Sequence, residues 1–166
     1  PQDYPNDLML YRNDKPVQAL IDQSDLTKNI TDESIRFIEE NKNNQFFLYI
    51  AHPQPHVPLF ASKEFQGSTG EGLFADVISE IDFSVGRVIE ALEKNNLSEN
   101  TIVVFTSDNG PWLSYGDHAG SSGIFREGKG TAWEGGQRVP CIIKYPKEIM
   151  PKTIIDEPVM GIDWMP

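Results

Sequence analysis

FFLYIA (46–51) and TIVVFT (101–106), together with the segment that joins them, decide the fold of this chain. Both are continuous apolar runs with aromatic and β-favouring residues, the pattern of a strand covered on both faces. Between them, apolar residues fall at 74, 77, 78, 81, 85, 88, 89 and 92, a helical spacing sustained for five turns and closed by Asn95-Asn96. Strand, long loop, helix and strand in that order form a crossover unit, which is expected to be right-handed with parallel strands. The class is α/β.

On the carboxyl side, VPCIIKYP (139–146) reads as one more strand, with Cys141 as a small buried hydrophobe rather than a nucleophile. Residues 107–140 hold eight of the thirteen glycines and no long periodic run, so they form a long irregular segment of the kind that is usually functional or disordered. On the amino side, a helix is expected over 32–42, with Thr31 as N-cap, Asp32 and Glu33 at the positive end of the dipole, and Ile30 stapled to Ile35. Residues 1–29 carry two short apolar patches (Leu8, Met9, Leu10; Val17, Ala19, Leu20, Ile21) joined by the polar YRNDKP, which reads as a turn between two peripheral extended pieces.

Composition bounds the function classes. With 166 residues and 39% hydrophobic content the chain is sized for one domain with a real core. A net charge of −11 argues against a general nucleic-acid binder, because neutralising phosphates needs clustered cations. No apolar run approaches the roughly 20 residues of a membrane span. The single cysteine excludes an internal disulfide framework and a cysteine zinc cluster. The acid excess is uneven: residues 1–106 carry −9, whereas 107–140 carry −1 and can tolerate an anion. Starting at Pro1 without Met and stopping at Pro166 as an apolar segment develops, the chain reads as a fragment.

Ligands in open α/β sheets sit beyond the carboxyl ends of the strands, and a polar cluster begins at each predicted strand end. His52-Pro53-Gln54-Pro55-His56-Val57-Pro58 follows the first strand, and Ser107-Asp108-Asn109-Gly110-Pro111 follows the second. Asp108 and Asn109 offer hard oxygen donors suited to calcium or magnesium, or else form an ordinary turn. His52, His56 and His118 all fall in predicted loops, where an imidazole either transfers protons and binds anions or is simply solvated. Lys129, between Gly128 and Gly130, presents an ammonium that an anion can reach, or is a surface lysine in a loop. Arg126 and Arg138 read as structural ion-pair partners of Glu127 or Glu134. Neither a P-loop nor a Gly-x-Ser-x-Gly elbow is present.

Taken together, FFLYIAHPQPHVPLF, VVFTSDNGPW and HAGSSGIFREGKGTAWEGGQRVPCI resemble the later part of the catalytic domain of the type I, formylglycine-dependent sulfatases, close to the arylsulfatase A and N-acetylgalactosamine-6-sulfatase group. The resemblance covers about residues 10–166. It implies an alkaline-phosphatase-like α/β sandwich, mostly parallel sheet flanked by helices, of which residues 1–166 would be a partial domain lacking the nucleophile-bearing amino-terminal part and the carboxy-terminal subdomain. It further implies hydrolysis of a sulfate ester, of a small molecule or more specifically a carbohydrate, by a formylglycine made from cysteine or serine. Residue by residue, Asp108 and Asn109 match calcium ligands, Lys129 in GKGT matches a sulfate-contacting lysine, and His56 in HVPLF matches the histidine on the sulfate and leaving-group side. His118 in DHAG is implied near the leaving group. The Cys-x-Pro-Ser-Arg nucleophile motif and the early acidic metal ligands are not found in residues 1–166 and are expected upstream.

Two other readings stay open: a phosphodiesterase or phosphonate hydrolase of the same superfamily, and a non-catalytic binding module. Asn109 weighs against zinc phosphodiesterases of that superfamily, which usually show Asp-His at this strand end. An exported or lysosomal location is implied by the resemblance alone.

Overall fold

The computed structural model describes residues 9–19 and 22–164. Leu8, Leu20 and Ile21 of the two amino-terminal patches lie outside the described residues. The remainder of those patches forms the two expected extended pieces, and the structure pairs them as a hairpin: β1 (Met9–Arg12) runs antiparallel to β2 (Lys15–Ala19) around a turn in which Asn13 takes φ +54, a conformation asparagine tolerates. An Arg12–Glu33 ion pair ties the hairpin to the first helix, α1 (Leu26–Asn41).

Helix α1 begins earlier than the expected 32–42. A single 3₁₀ turn at Gln23–Asp25 leads into it, capped by Asp22, whose Oδ1 accepts from the Ser24 N–H at 3.0 Å and the Ser24 hydroxyl at 2.6 Å. Thr31 is therefore no N-cap but a buried residue inside the helix, and its hydroxyl donates to the Thr27 carbonyl at 2.6 Å. Pattern reading placed the start too late because the hidden face of α1 is polar: Thr27, Thr31 and Ser34 are buried beside Ile38. The Thr31 and Ser34 hydroxyls bond to carbonyls one turn back, and Thr31 also meets Ser84 across the helix pair at 2.6 Å.

The long helix α2 (Leu73–Lys94) matches expectation, with Asn95 as its C-cap and Asn96 in the left-handed region at φ +59. Two apolar clusters lie along it. Leu59, Ala61, Val77 and Ile81 form one, flanked by Val57, Phe65, Leu73 and Phe74. Ile38, Ala91 and Leu92 form the other, with Phe46, Leu48 and Val103 packed against it. The segment at 46–48, helix α2 and β3 (Val103–Thr106) thus share one core.

Strand pairing differs from expectation in one respect. β3 pairs antiparallel with β4 (Cys141–Lys144), in register Val103↔Lys144 to Thr106↔Cys141, while residues 46–51 join no ladder among the described residues. Burial there alternates: Phe46, Leu48 and Ile50 are partly covered, whereas Phe47 and Tyr49 are about 80% and 79% exposed. One face of this run is covered by the helix pair and the other is bare, instead of both being covered. Cys141 is likewise exposed rather than buried, on a strand whose Ile142 and Ile143 also lack cover. The irregular stretch 107–140 contains only a 3₁₀ segment, Leu113–His118, and a single α-helical turn, α3 (Glu134–Gln137).

Candidate active site

The His56 loop is shaped from beneath. Gln54 is buried, its amide N–H donating to the Pro58 carbonyl and its Oε1 accepting from the Phe60 N–H, both at 3.3 Å, so one side chain spans the loop that carries His56. Leu59 and Ala61 then enter the core against α2. Two buried carboxylates of α2 hold the chain that follows: Glu80 accepts from the Ser62 N–H at 2.8 Å, and Asp76 accepts from Gly67 N–H, Thr69 N–H and the Thr69 hydroxyl. The Thr69 hydroxyl, with those two amides, holds the Asp76 carboxyl below its ordinary range. His56 itself is exposed, with Nδ1 2.7 Å from the Val57 carbonyl oxygen. A carbonyl can only accept, so Nδ1 carries the proton and Nε2 is the free ring nitrogen.

The second wall is built from three loop pieces that touch backbone to backbone. Gly110 N–H donates to Gly136 O at 3.0 Å, Gly135 N–H to Arg126 O at 2.9 Å, and Lys129 N–H to Pro111 O at 2.8 Å. Glycine is required where they cross: a Cβ on Gly110 would fall 1.8 Å from the Gly135 carbonyl oxygen, and one on Gly135 2.0 Å from that of Glu127. The crossing puts Trp112, just past Pro111, beside Lys129. Lys129 Nζ lies 5.1 Å from the centroid of the Trp112 ring, and the His56 ring meets the same indole edge-on at 5.9 Å. Tyr115 packs on Trp112 at 4.7 Å and, with Val57, Pro58 and His118, lines a cavity of about 220 Å³.

The structure therefore brings His56 and Lys129 to one tryptophan, and His118 to the cavity beside them. Asp108 and Asn109 stand on the same loop at the end of β3, Asp108 exposed and Asn109 donating its amide N–H to Gly110 O at 3.0 Å, with no hydrogen bond to its Oδ1 among the described residues. Among the described residues no three His, Cys, Asp or Glu side chains cluster as a metal site. Asp108 and Asn109 fit a share of a calcium shell, two hard oxygen donors of the six to eight such an ion takes. His52 is placed elsewhere, under α2, where burial lowers its pKa. Arg138 pairs with Glu134 at 3.4 Å as expected, whereas Arg126 stacks on Trp133 at 3.6 Å instead of meeting a carboxylate. Lys129 has no carboxylate within ion-pair reach among the described residues, which leaves its charge available. Sequence reading passed over Trp112, Tyr115 and Gln54; the only signal was two aromatics three apart in a glycine-rich loop.

Comparison with known proteins shows the family of the chain. The family description "Sulfatase" matches residues 2–166. Human steryl-sulfatase is 36% identical over 98% of this chain and 29% of its own length, and the N-acetylgalactosamine-6-O-sulfatase of Bacteroides thetaiotaomicron is 37% identical over 80% of the chain and 28% of its own. The chain thus spans less than a third of the length of these relatives. Among solved structures, Ps i-CgsB in complex with k-i-k-neocarrahexaose superposes with a TM-score of 0.72 at 34% identity, covering 84% of this chain and 32% of that one. The fold is the alkaline-phosphatase-like α/β fold of these neighbours, and the chain belongs to the sulfatase family.

Proposed function

We propose that residues 1–166 are part of the catalytic domain of a sulfuric ester hydrolase acting on a sulfated carbohydrate. The observation that carries this reading is the meeting of His56 and Lys129 on Trp112, on the same loop as Asp108 and Asn109. Lys129 supplies a positive charge for the sulfate oxygens. His56, its Nδ1 proton held by the Val57 carbonyl, has Nε2 for the bridging oxygen and, when protonated there, passes that proton to the departing alkoxide. Asp108 and Asn109 would hold calcium, which when bound neutralises further charge on the sulfate. The attacking group is a formylglycine outside residues 1–166.

A carbohydrate is supported by the names of the N-acetylgalactosamine-6-O-sulfatase relative and of the oligosaccharide complex. An exported or lysosomal setting accompanies this reading; no helix among the described residues is long and apolar enough to cross a membrane.

The decisive test is Lys129→Ala in the complete protein. We expect kcat/KM for a sulfate ester to fall by about 10²–10³-fold, as when one charge-stabilising donor is removed, with the melting temperature unchanged. Unchanged activity would remove Lys129 from the site. Turnover of a matched phosphate ester above that of the sulfate ester would favour the phosphodiesterase alternative.

A further inference from the structure

We infer that Trp112 is a positioning residue that holds the Lys129 ammonium and the His56 imidazole in one fixed relation, so that both reach the same sulfate; this rests on the sulfate-ester reading of the site. A lysine side chain has four flexible torsions, and fixing its ammonium requires a partner. Lys129 has a backbone anchor, its N–H on the Pro111 carbonyl, but its Nζ has no carboxylate partner among the described residues, and the π face of Trp112 at 5.1 Å lies within cation–π range. His56 has a fixed tautomer, yet the Val57 bond that fixes it comes from the next residue and leaves the ring's outer edge unsupported. The indole supports that edge, with the rings inclined at 63°.

Trp112 is itself held. Its ring meets Tyr115 at 4.7 Å and 68°, and the carbonyl of Pro111 before it accepts both the Lys129 and Leu113 N–H groups. It is 39% exposed, so core burial does not account for a tryptophan at this place. A direct stacking platform for substrate is the competing role, but Lys129 already occupies a face of the ring and His56 and Tyr115 take further parts of it. Three neighbours on one exposed indole fit a spacer between an ammonium and an imidazole.

The test compares Trp112→Phe, Trp112→Leu, Lys129→Ala and the double variant Trp112→Leu/Lys129→Ala in the complete protein, with melting curves for each. Trp112→Leu, which keeps apolar bulk and loses the π face, should lower kcat by about 10-fold while KM moves less than about twofold. Trp112→Phe should recover most of that loss, and Trp112→Leu should cost little once Lys129 is alanine. A raised KM with kcat intact would make Trp112 a substrate contact and overturn the inference, as would full additivity with Lys129→Ala. If Trp112→Leu does not fold, the same cycle run with Trp112→Phe decides, a non-additive partial loss supporting positioning and an additive one overturning it. Should Lys129→Ala leave kcat/KM unchanged, the sulfate-ester reading falls as well; should it lower activity while Trp112→Leu does not, the positioning role alone falls.

Discussion

His52 lies beneath α2 with Nε2 3.4 Å from the Ser84 hydroxyl and Nδ1 without a hydrogen-bond partner among the described residues. Burial disfavours its cation and lowers its pKa below 6.5. The sign of the pH effect follows: above pH 6.5 the ring is neutral in folded and unfolded chains alike, and as pH falls below 6.5 the unfolded chain takes up a proton the folded one resists. Stability should therefore drop as pH is lowered from about 6.5 toward 5, and His52→Gln should flatten that drop. Thermal melts of both proteins at pH 7.5 and 5 check this; equal slopes would remove His52 as the cause. Asp76 acts with the same sign at lower pH. Its depressed pKa contributes stability above pH 3.8 that is lost on stronger acidification, and Asp76→Asn should loosen residues 67–69 at neutral pH, read as faster amide exchange there.

Among the elements, α2 was legible because its covered face is apolar at helical spacing, and the hairpin because YRNDKP separates two short patches. The start of α1 was hidden for a physical reason: its covered face is rich in hydroxyls, of which Thr31 bonds to the Thr27 carbonyl and to Ser84, and Ser34 to the Ile30 carbonyl, and a count of apolar positions cannot see a satisfied threonine. Of the candidate site, His56 and Lys129 could be picked out by chemistry and loop position, but Trp112 could not, since a loop has no period to mark which way a ring turns. The Gly120 turn, after His118, depends on α2 in turn: its φ is +73, and an added Cβ would sit 2.6 Å from the Phe74 ring. Gly120→Ala should destabilise by about 1–2 kcal/mol or more, from the left-handed backbone and the clash together, measurable by denaturant unfolding. Ile38→Ala, which empties a site that is 1% exposed between α1 and α2, should cost about 2–5 kcal/mol.

For the molecule as a whole, the uncovered apolar residues are as informative as the covered ones. Phe47, Tyr49, Ile102 and Ile142 are each more than half exposed, on or just before the segment and strands that a sheet would pair and cover. The isolated 166-residue chain is accordingly expected to enhance the fluorescence of an apolar-surface dye and to give no turnover of a chromogenic aryl sulfate, because it lacks the Cys/Ser-x-Pro-Ser-Arg motif. Efficient turnover by that chain would contradict the assignment of the attacking group to another segment.

The glycine crossing at Gly110 and Gly135 has a consequence for how such a site can change. Because the peptide planes of three loop pieces touch without side chains between them, there is no cushion to absorb a shift in one piece alone. A displacement at Glu127 is relayed to Gly135 and on to Gly110, and so reaches the oxygen donors on one side and the indole on the other. Under the proposed roles, the anion-binding lysine and the oxygen donors for the cation would therefore shift together rather than independently.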